Sequence, residues 1–113
     1  MGRTTERDFE YRVQRMLESK GYLVVNVARS KPFDLIAIKN MTPFIIEVKG
    51  KTTRYPSEQK QTQMELCQKT GNEFIIIKQS KKKGKMTIEQ GYSLGKASTL
   101  KEQIEKDLQR WIE

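Results

Sequence analysis

The chain has 113 residues, enough for one modest apolar core, and we predict a single domain over residues 1–113. Its 22 Lys and Arg residues against 14 Asp and Glu residues give a net charge of +8, which favours nucleic acid as a partner before acidic membrane surfaces. The single cysteine excludes an internal disulfide and cysteine zinc clusters, and the absence of histidine excludes catalytic triads and His-ligated metals. Any chemistry must therefore depend on carboxylates, lysine and a hard metal ion. With no apolar stretch of about 20 residues and no apolar segment at the N-terminus, we expect an intracellular, cytoplasmic protein without a membrane partner.

The first two predicted elements are a helix and a strand. Residues 5–20 are typical of a helix with Thr5 as its N-cap and Gly21 as its stop. One apolar stripe runs along this helix, and Glu10 flanks it; its members are Phe9, Val13, Met16 and Leu17. Residues 22–27 are rich in β-branched side chains and nearly continuous in apolar character, so we predict a central strand.

The second half of the chain predicts a helix, two strands and a last helix. Ser57 is the predicted N-cap of a mostly polar helix that runs to about residue 70. Residues 74–78 predict a buried strand, and residues 86–92 predict an edge strand. The chain ends with an apolar stripe at helical spacing, formed by Leu100, Ile104, Leu108, Trp111 and Ile112. With a hairpin before the second helix, the order α-β-β-β-α-β-β-α indicates a mixed α/β domain.

That hairpin, predicted from residues 34–39 and 44–49 around a polar turn, contains Glu47. A charge inside an apolar strand is costly unless it is paired, bound to a metal or placed on a functional face. Strand alternation puts Glu47 and Lys49 on one face and the large apolar side chains of the strand on the other. Glu47 is therefore the first candidate for chemistry.

Pairing the hairpin symmetrically about Asn40 and Met41 sets Asp34 opposite Glu47. Two carboxylates opposed at about 5 Å repel each other unless a cation lies between them. Ligands that are all oxygen point to Mg²⁺ or Mn²⁺. The sequence therefore predicts a metal site at Asp34 and Glu47, with Lys49 beside the bound water or the scissile phosphate.

The tripeptide Glu-x-Lys carries little weight by itself, because it occurs three times, beginning at Glu18, Glu47 and Glu58. The other two copies lie on predicted solvent-facing helical segments. Only the copy at Glu47 is embedded in an apolar strand with an acid on the preceding strand. The alternative for that copy is an ion pair on an edge strand.

Asp34, followed thirteen residues later by Glu47-Val48-Lys49, resembles the PD-(D/E)xK nuclease motif. The fuller pattern is similar to that of the archaeal-type Holliday junction resolvases, which belong to that superfamily. In that family a first-helix glutamate lies eleven residues before a glycine and an aromatic residue, as Glu10 lies before Gly21. A hydrophobic strand and a small basic loop with a serine follow, here Arg29-Ser30-Lys31, and then comes the metal-binding aspartate. The resemblance covers well over half of the chain.

The resemblance implies a restriction-endonuclease-like fold, an α/β fold with a mixed central β-sheet flanked by helices, and a metal-dependent dimeric endonuclease. The residues that it places around the metal are Glu10, Asp34 and Glu47, and the catalytic lysine that it implies is Lys49. Glu6 is an alternative first-helix acid, although the helix dipole already explains its position. Two positions where the family often has arginine hold Tyr11 and Asn26 here, which weakens four-way-junction specificity more than nuclease chemistry.

Polar and basic residues near the predicted site are candidates for DNA contacts: Arg29, Ser30, Lys31, Lys51, Arg54 and Gln59. Gln59 falls near a glutamine that several members of the family have. The lysine-rich residues 81–85 are a further candidate, although such runs are more often solvated turns.

We therefore expect a Mg²⁺-dependent endonuclease that cleaves four-way DNA junctions as a homodimer. Two alternatives stay open: another structure-specific or VRR-type nuclease of the same superfamily, and a catalytically inactive basic module that only binds DNA. The stripe of the last helix and the strand after Met86 are candidate dimer surfaces. The alternative for that helix is packing on its own sheet.

Overall fold

The computed structural model describes residues 5–27, 33–95 and 97–113, of which residues 5, 6 and 97–99 are described by their backbone alone. The described elements follow the predicted order. The helices are α1 (Thr5–Ser19), α2 (Ser57–Thr70) and α3 (Ala97–Asp107), and the strands are β1 (Leu23–Asn26), β2 (Leu35–Lys39), β3 (Thr42–Lys49), β4 (Glu73–Gln79) and β5 (Met86–Tyr92). No helix in these ranges is long and apolar enough to cross a membrane.

The strands form one mixed sheet in the order β1-β2-β3-β4-β5. Neighbouring strands are antiparallel except β3 and β4, which are parallel because α2 returns the chain from the end of β3 to the start of β4. A mixed sheet with helices packed on it is the predicted fold class, which is confirmed.

The two faces of the sheet carry cores of different size. The larger core joins α1 and α3 to the side chains of β3 that alternation turns toward them, Phe44, Ile46 and Val48. The smaller core lies under α2, where Cys67 packs on Phe74 and Ile76 of β4. We call these the α1/α3 face and the α2 face. The side chains of Glu47 and Lys49, two residues apart on β3, belong to the α2 face by the same alternation.

The predicted central position of β1 is wrong, because β1 lies at the edge of the sheet. Tyr22 and Val24 are buried on the α1/α3 face, but the side chains of Leu23 and Val25 are 62% and 45% exposed on the other. A nearly continuous apolar run does not distinguish a strand covered on both faces from one covered on a single face.

The start of α2 also differs from the prediction. Pro56, with φ −57° and ψ 141°, occupies the N-cap position, and Ser57 is the first helical residue, with no side-chain hydrogen bond capping the helix. Proline fixes an extended backbone that leads into the first turn without a capping hydroxyl. The helix ends at Thr70, as predicted. Gly71 follows it in the left-handed conformation, and its N–H donates to the carbonyl of Cys67.

The last helix ends earlier than its apolar stripe. It stops at Asp107, a short 3₁₀ turn spans Gln109–Trp111, and Ile112 then bridges Met86 at the start of β5. Ile104 and Leu108 are fully buried, and the rest of the stripe packs against the same core. The stripe therefore packs on its own sheet, the second of the two interpretations of this helix.

We expect Gly91→Ala to lower the free energy of unfolding by about 1–3 kcal/mol, the usual cost of forcing an extra methyl into a packed core. A Cβ on Gly91 would overlap the ring of Phe74, which is fully buried in the smaller core. Urea denaturation measures the change. Thr87→Ala, at an exposed position of the same strand, is the matched control and should cost less than about 1 kcal/mol. Equal effects of the two substitutions would contradict the packing argument.

Candidate active site

The β2–β3 hairpin sets two carboxylates side by side. Its turn is Asn40 and Met41, with φ of 54° and 63°, the pair of left-handed residues that a two-residue hairpin turn requires. The register from this turn pairs Leu35 with Ile46. The predicted register is thus confirmed from Leu35 to Lys39, and its continuation by one residue sets Asp34 opposite Glu47.

Asp34 is held in place directly before β2. Its backbone N–H donates to the carbonyl of Ile46 at 3.3 Å. Its carboxylate Oδ2 accepts the backbone N–H of Val48 at 2.8 Å. Asp34 therefore lies opposite Glu47 and is hydrogen-bonded to the backbone of the residues before and after Glu47.

Glu47 is a buried carboxylate with two partners. The residue is 4% exposed. Its Oε1 accepts a hydrogen bond from Nε2 of Gln63 at 2.9 Å, and its Oε2 lies 3.3 Å from Lys49 Nζ. Burial and then the negative charge of Asp34 raise the pKa of Glu47 to about 7, against the lowering effects of Lys49 and Gln63. At neutral pH this carboxylate is therefore poised between its two protonation states.

Lys49 is the cation of the site. It is 7% exposed, and its Nζ lies 4.8 Å from the centre of the Tyr55 ring as well as beside Glu47. The hydroxyl of Tyr55 donates to Oε1 of Gln63, and burial raises the pKa of this hydroxyl above its ordinary value. Glu47, Lys49, Tyr55 and Gln63 thus form a closed set of contacts that fixes the lysine and the glutamate relative to each other.

Gln63 is the residue of this set that sequence reasoning missed. It is fully buried, although it lies on a mostly polar helix. The predicted glutamine, Gln59, is half-buried one helical turn earlier and lines a shallow groove with its neighbours on α2. The sequence signal that could have found Gln63 was spacing, because Gln59, Gln63 and Cys67 recur at i, i+4 and i+8 and so share the face that packs on the sheet.

Glu10 is the third acid that the resemblance places around the metal. It lies half-buried on α1, which packs on the α1/α3 face, whereas Asp34 and Glu47 belong to the α2 face. Within the described residues, no three or more acids or cysteines are grouped so that they could hold a metal ion. The role of Glu10 stays a prediction.

Only some of the residues predicted to contact DNA lie within the described ranges. Arg29, Ser30 and Lys31 lie outside the described residues. Lys51 and Arg54 are both exposed in the connection that leaves β3 directly after Lys49, and the backbone N–H of Lys51 donates to Gln79 Oε1 at 3.2 Å. These two cations therefore lie at the same end of the sheet as Lys49, as the prediction requires, and their contact with DNA stays a prediction.

The two adjacent carboxylates fit a hard divalent cation. Mg²⁺ is commonly bound through one or two carboxylates, with water and substrate phosphate completing the shell, so a third protein ligand is not required. Burial and, after it, the negative charge of Asp34 raise the pKa of Glu47, and a bound dication would offset both effects. Asp34 and Glu47 are the residues that would hold it.

The fold has a counterpart among solved structures. It is similar to that of Hjc, a Holliday junction resolvase from the archaeal hyperthermophile Archaeoglobus fulgidus, with a TM-score of 0.63 and 17% sequence identity over 76% of this chain and 72% of that one. No protein-family model matches the sequence, and no curated protein matches it in a sequence comparison. At 17% identity the likeness establishes the fold, an α/β fold that a nuclease also has.

In metal-free buffer, we expect Glu47 to make the protein less stable as the pH rises from about 4.5 to about 7. The unfolded glutamate loses its proton near pH 4.5, whereas the folded one retains it to about pH 7, so the folded state binds more protons in this window. The Glu47→Gln variant lacks this titration, and its stability relative to the wild type should therefore increase across the window. Denaturant unfolding at several pH values measures the difference.

The control is Glu102→Gln, which removes an exposed carboxylate from α3. It shows whether loss of any one negative charge has the same effect. A stability difference between Glu47→Gln and the wild type that does not change with pH would contradict the raised pKa.

Proposed function

We propose that this protein is a Mg²⁺- or Mn²⁺-dependent endonuclease that cleaves four-way DNA junctions by phosphodiester hydrolysis. The observation that carries the proposal is the position of Asp34, hydrogen-bonded to the backbone of Ile46 and Val48 on either side of Glu47, with Lys49 in contact with Glu47. The net charge of +8 and the fold shared with a Holliday junction resolvase add support. Branched DNA is the proposed substrate because the structural neighbour is described as a Holliday junction resolvase.

Each residue of the site has a proposed task. Asp34 and Glu47 would hold the divalent ion, which would supply Lewis acidity toward water and the phosphate. Lys49 would stabilise the negative charge that develops on the phosphate. Gln63 and Tyr55 keep Glu47 and Lys49 in position through the contacts described above.

A second candidate is a basic module that binds DNA without cleaving it. It is favoured by one observation: both oxygens of Glu47 already have protein partners. Metal-dependent cleavage separates the two candidates. Another structure-specific or VRR-type nuclease would cleave with metal but would not prefer the junction.

The direct test compares a labelled four-way junction with a linear duplex of the same sequence, each with and without Mg²⁺. We expect cleavage of the junction only when metal is present. Asp34→Asn, Glu47→Gln and Lys49→Ala should each lower the cleavage rate roughly 100-fold or more, the scale for loss of a group that stabilises the transition state. Binding measured without metal should persist, because affinity comes mainly from Arg and Lys contacts to phosphate.

Glu10→Gln and Glu18→Gln are the matched pair on α1. Glu18 is exposed near the far end of the helix, so its substitution should leave cleavage unchanged, whereas that of Glu10 should lower it. Cleavage of the junction at nearly the wild-type rate by any of the three principal variants would refute the role given to that residue. Cleavage of neither DNA would favour the binding module.

A homodimer is part of the proposal, because resolving a junction takes two symmetry-related cuts and each chain carries one candidate site. The chain is small, with a Cα radius of gyration of 13.2 Å, so one copy covers only part of a branched junction. The apolar stripe of the last helix packs on its own core, and the strand after Met86 is the other predicted dimer surface. Sedimentation equilibrium at micromolar concentration should give twice the chain mass of 13.2 kDa. A monomer mass with full junction-cleaving activity would refute the dimer.

A further inference from the structure

The turn between β4 and β5, residues 80–85, presents a cluster of lysines in one defined shape; we call it the lysine turn. The N–H of Ser80 donates to the carbonyl of Lys85 at 2.9 Å, and the N–H of Lys85 donates to the carbonyl of Lys82 at 3.0 Å. The N–H of Lys82 also donates to the hydroxyl of Ser80 at 3.0 Å. Lys81, Lys82 and Lys83 are exposed on this hydrogen-bonded frame.

The topology places the lysine turn beside the candidate active site, although the two are far apart in sequence. Strands β3 and β4 are parallel, and Lys49 pairs with Lys78, two residues before the turn. The contact between Lys51 and Gln79 joins the two connections at this end of the sheet. At about 3.3 Å per residue, the tip at Lys82 lies at most roughly 13 Å beyond Lys78, which is about four base steps along a DNA strand.

The charge of the turn is not balanced by ion pairs. Lys60 and Lys78 share the one carboxylate of Glu89, so the charge of these two lysines at the α2 face is partly neutralised. Among the ion pairs of the described residues, none involves Lys81, Lys82 or Lys83. The carboxylate that contacts the turn is that of Glu113, which accepts the Ser80 hydroxyl. The turn thus keeps a local excess of positive charge.

We propose that the lysine turn binds the phosphates of a double-stranded DNA arm next to the candidate active site. The proposal rests on the proposed function, since it gives that site a second point of contact with the same DNA. Three observations support it: the excess charge, the fixed frame, and the location beside Lys49 and Lys51. A membrane surface is disfavoured, because the large exposed apolar residues of the described chain all lie outside the turn.

The test is a salt titration of binding to a linear duplex in EDTA, so that cleavage plays no part. The double variant Lys82→Gln/Lys83→Gln should reduce the slope of log K against log salt by about two, close to one for each phosphate that a lysine no longer neutralises. The variant Lys82→Arg/Lys83→Arg should retain the wild-type slope because it retains the charges. Both substitutions lie in an exposed turn, and thermal unfolding checks that each variant folds.

The matched control is Lys20→Gln/Lys69→Gln, which removes the same charge from two exposed lysines. Lys20 directly follows α1, and Lys69 lies in the last turn of α2, both at the opposite end of the sheet from the lysine turn. Removal of their charges should leave the slope nearly unchanged. Equal slopes for the two glutamine variants would refute the lysine turn as a DNA contact. So would failure of the wild type to bind the duplex at low salt, or binding only to vesicles of phosphatidylserine and phosphatidylcholine. A protein that binds through the turn but does not cleave a junction with Mg²⁺ would refute the proposed function alone.

Discussion

Burial of the Glu47 carboxylate is the constraint on which the site and the elements around it depend. A charged group removed from water must be compensated, and here the compensation comes from three directions: Lys49 on the same strand, Gln63 on α2 and the proton that its raised pKa retains. This explains why a glutamine is fully buried where α2 packs on an apolar sheet. A helix with only apolar residues on that face would leave Glu47 with one oxygen unpaired.

The position of the site depends on the short turn between β2 and β3. A two-residue turn fixes the register of β2 against β3, and a slip by one residue would turn Glu47 toward the α1/α3 face. Asp34 then closes the arrangement by accepting the N–H of Val48, so that the aspartate and the glutamate are held by one hairpin. The parallel neighbour β4 brings the lysine turn alongside this pair.

The features that sequence could predict are those that local pattern determines. The order of elements, the hairpin register and the exceptional position of Glu47 all come from periodicity within a few residues. The edge position of β1 could not be predicted, because its partner strands are chosen by packing elsewhere in the chain. Gln63 was missed for the same reason: a glutamine on a polar helix becomes part of a site only when a long-range contact buries it. The roles of Glu10 and of the DNA-contacting residues stay predictions.

The outer side of β1 has a consequence for how copies of this protein behave in concentrated solution. Within the described ranges, no strand pairs with this edge, and Leu23 and Val25 stand exposed beside it. An open edge with apolar side chains is a template for strand addition by another chain, and the shortness of β1 limits that hazard. The net charge of +8 adds mutual repulsion, which acts over about 8 Å at physiological ionic strength and less in stronger salt. The same basic charge that favours a polyanionic partner therefore also provides the colloidal stability of the unbound protein.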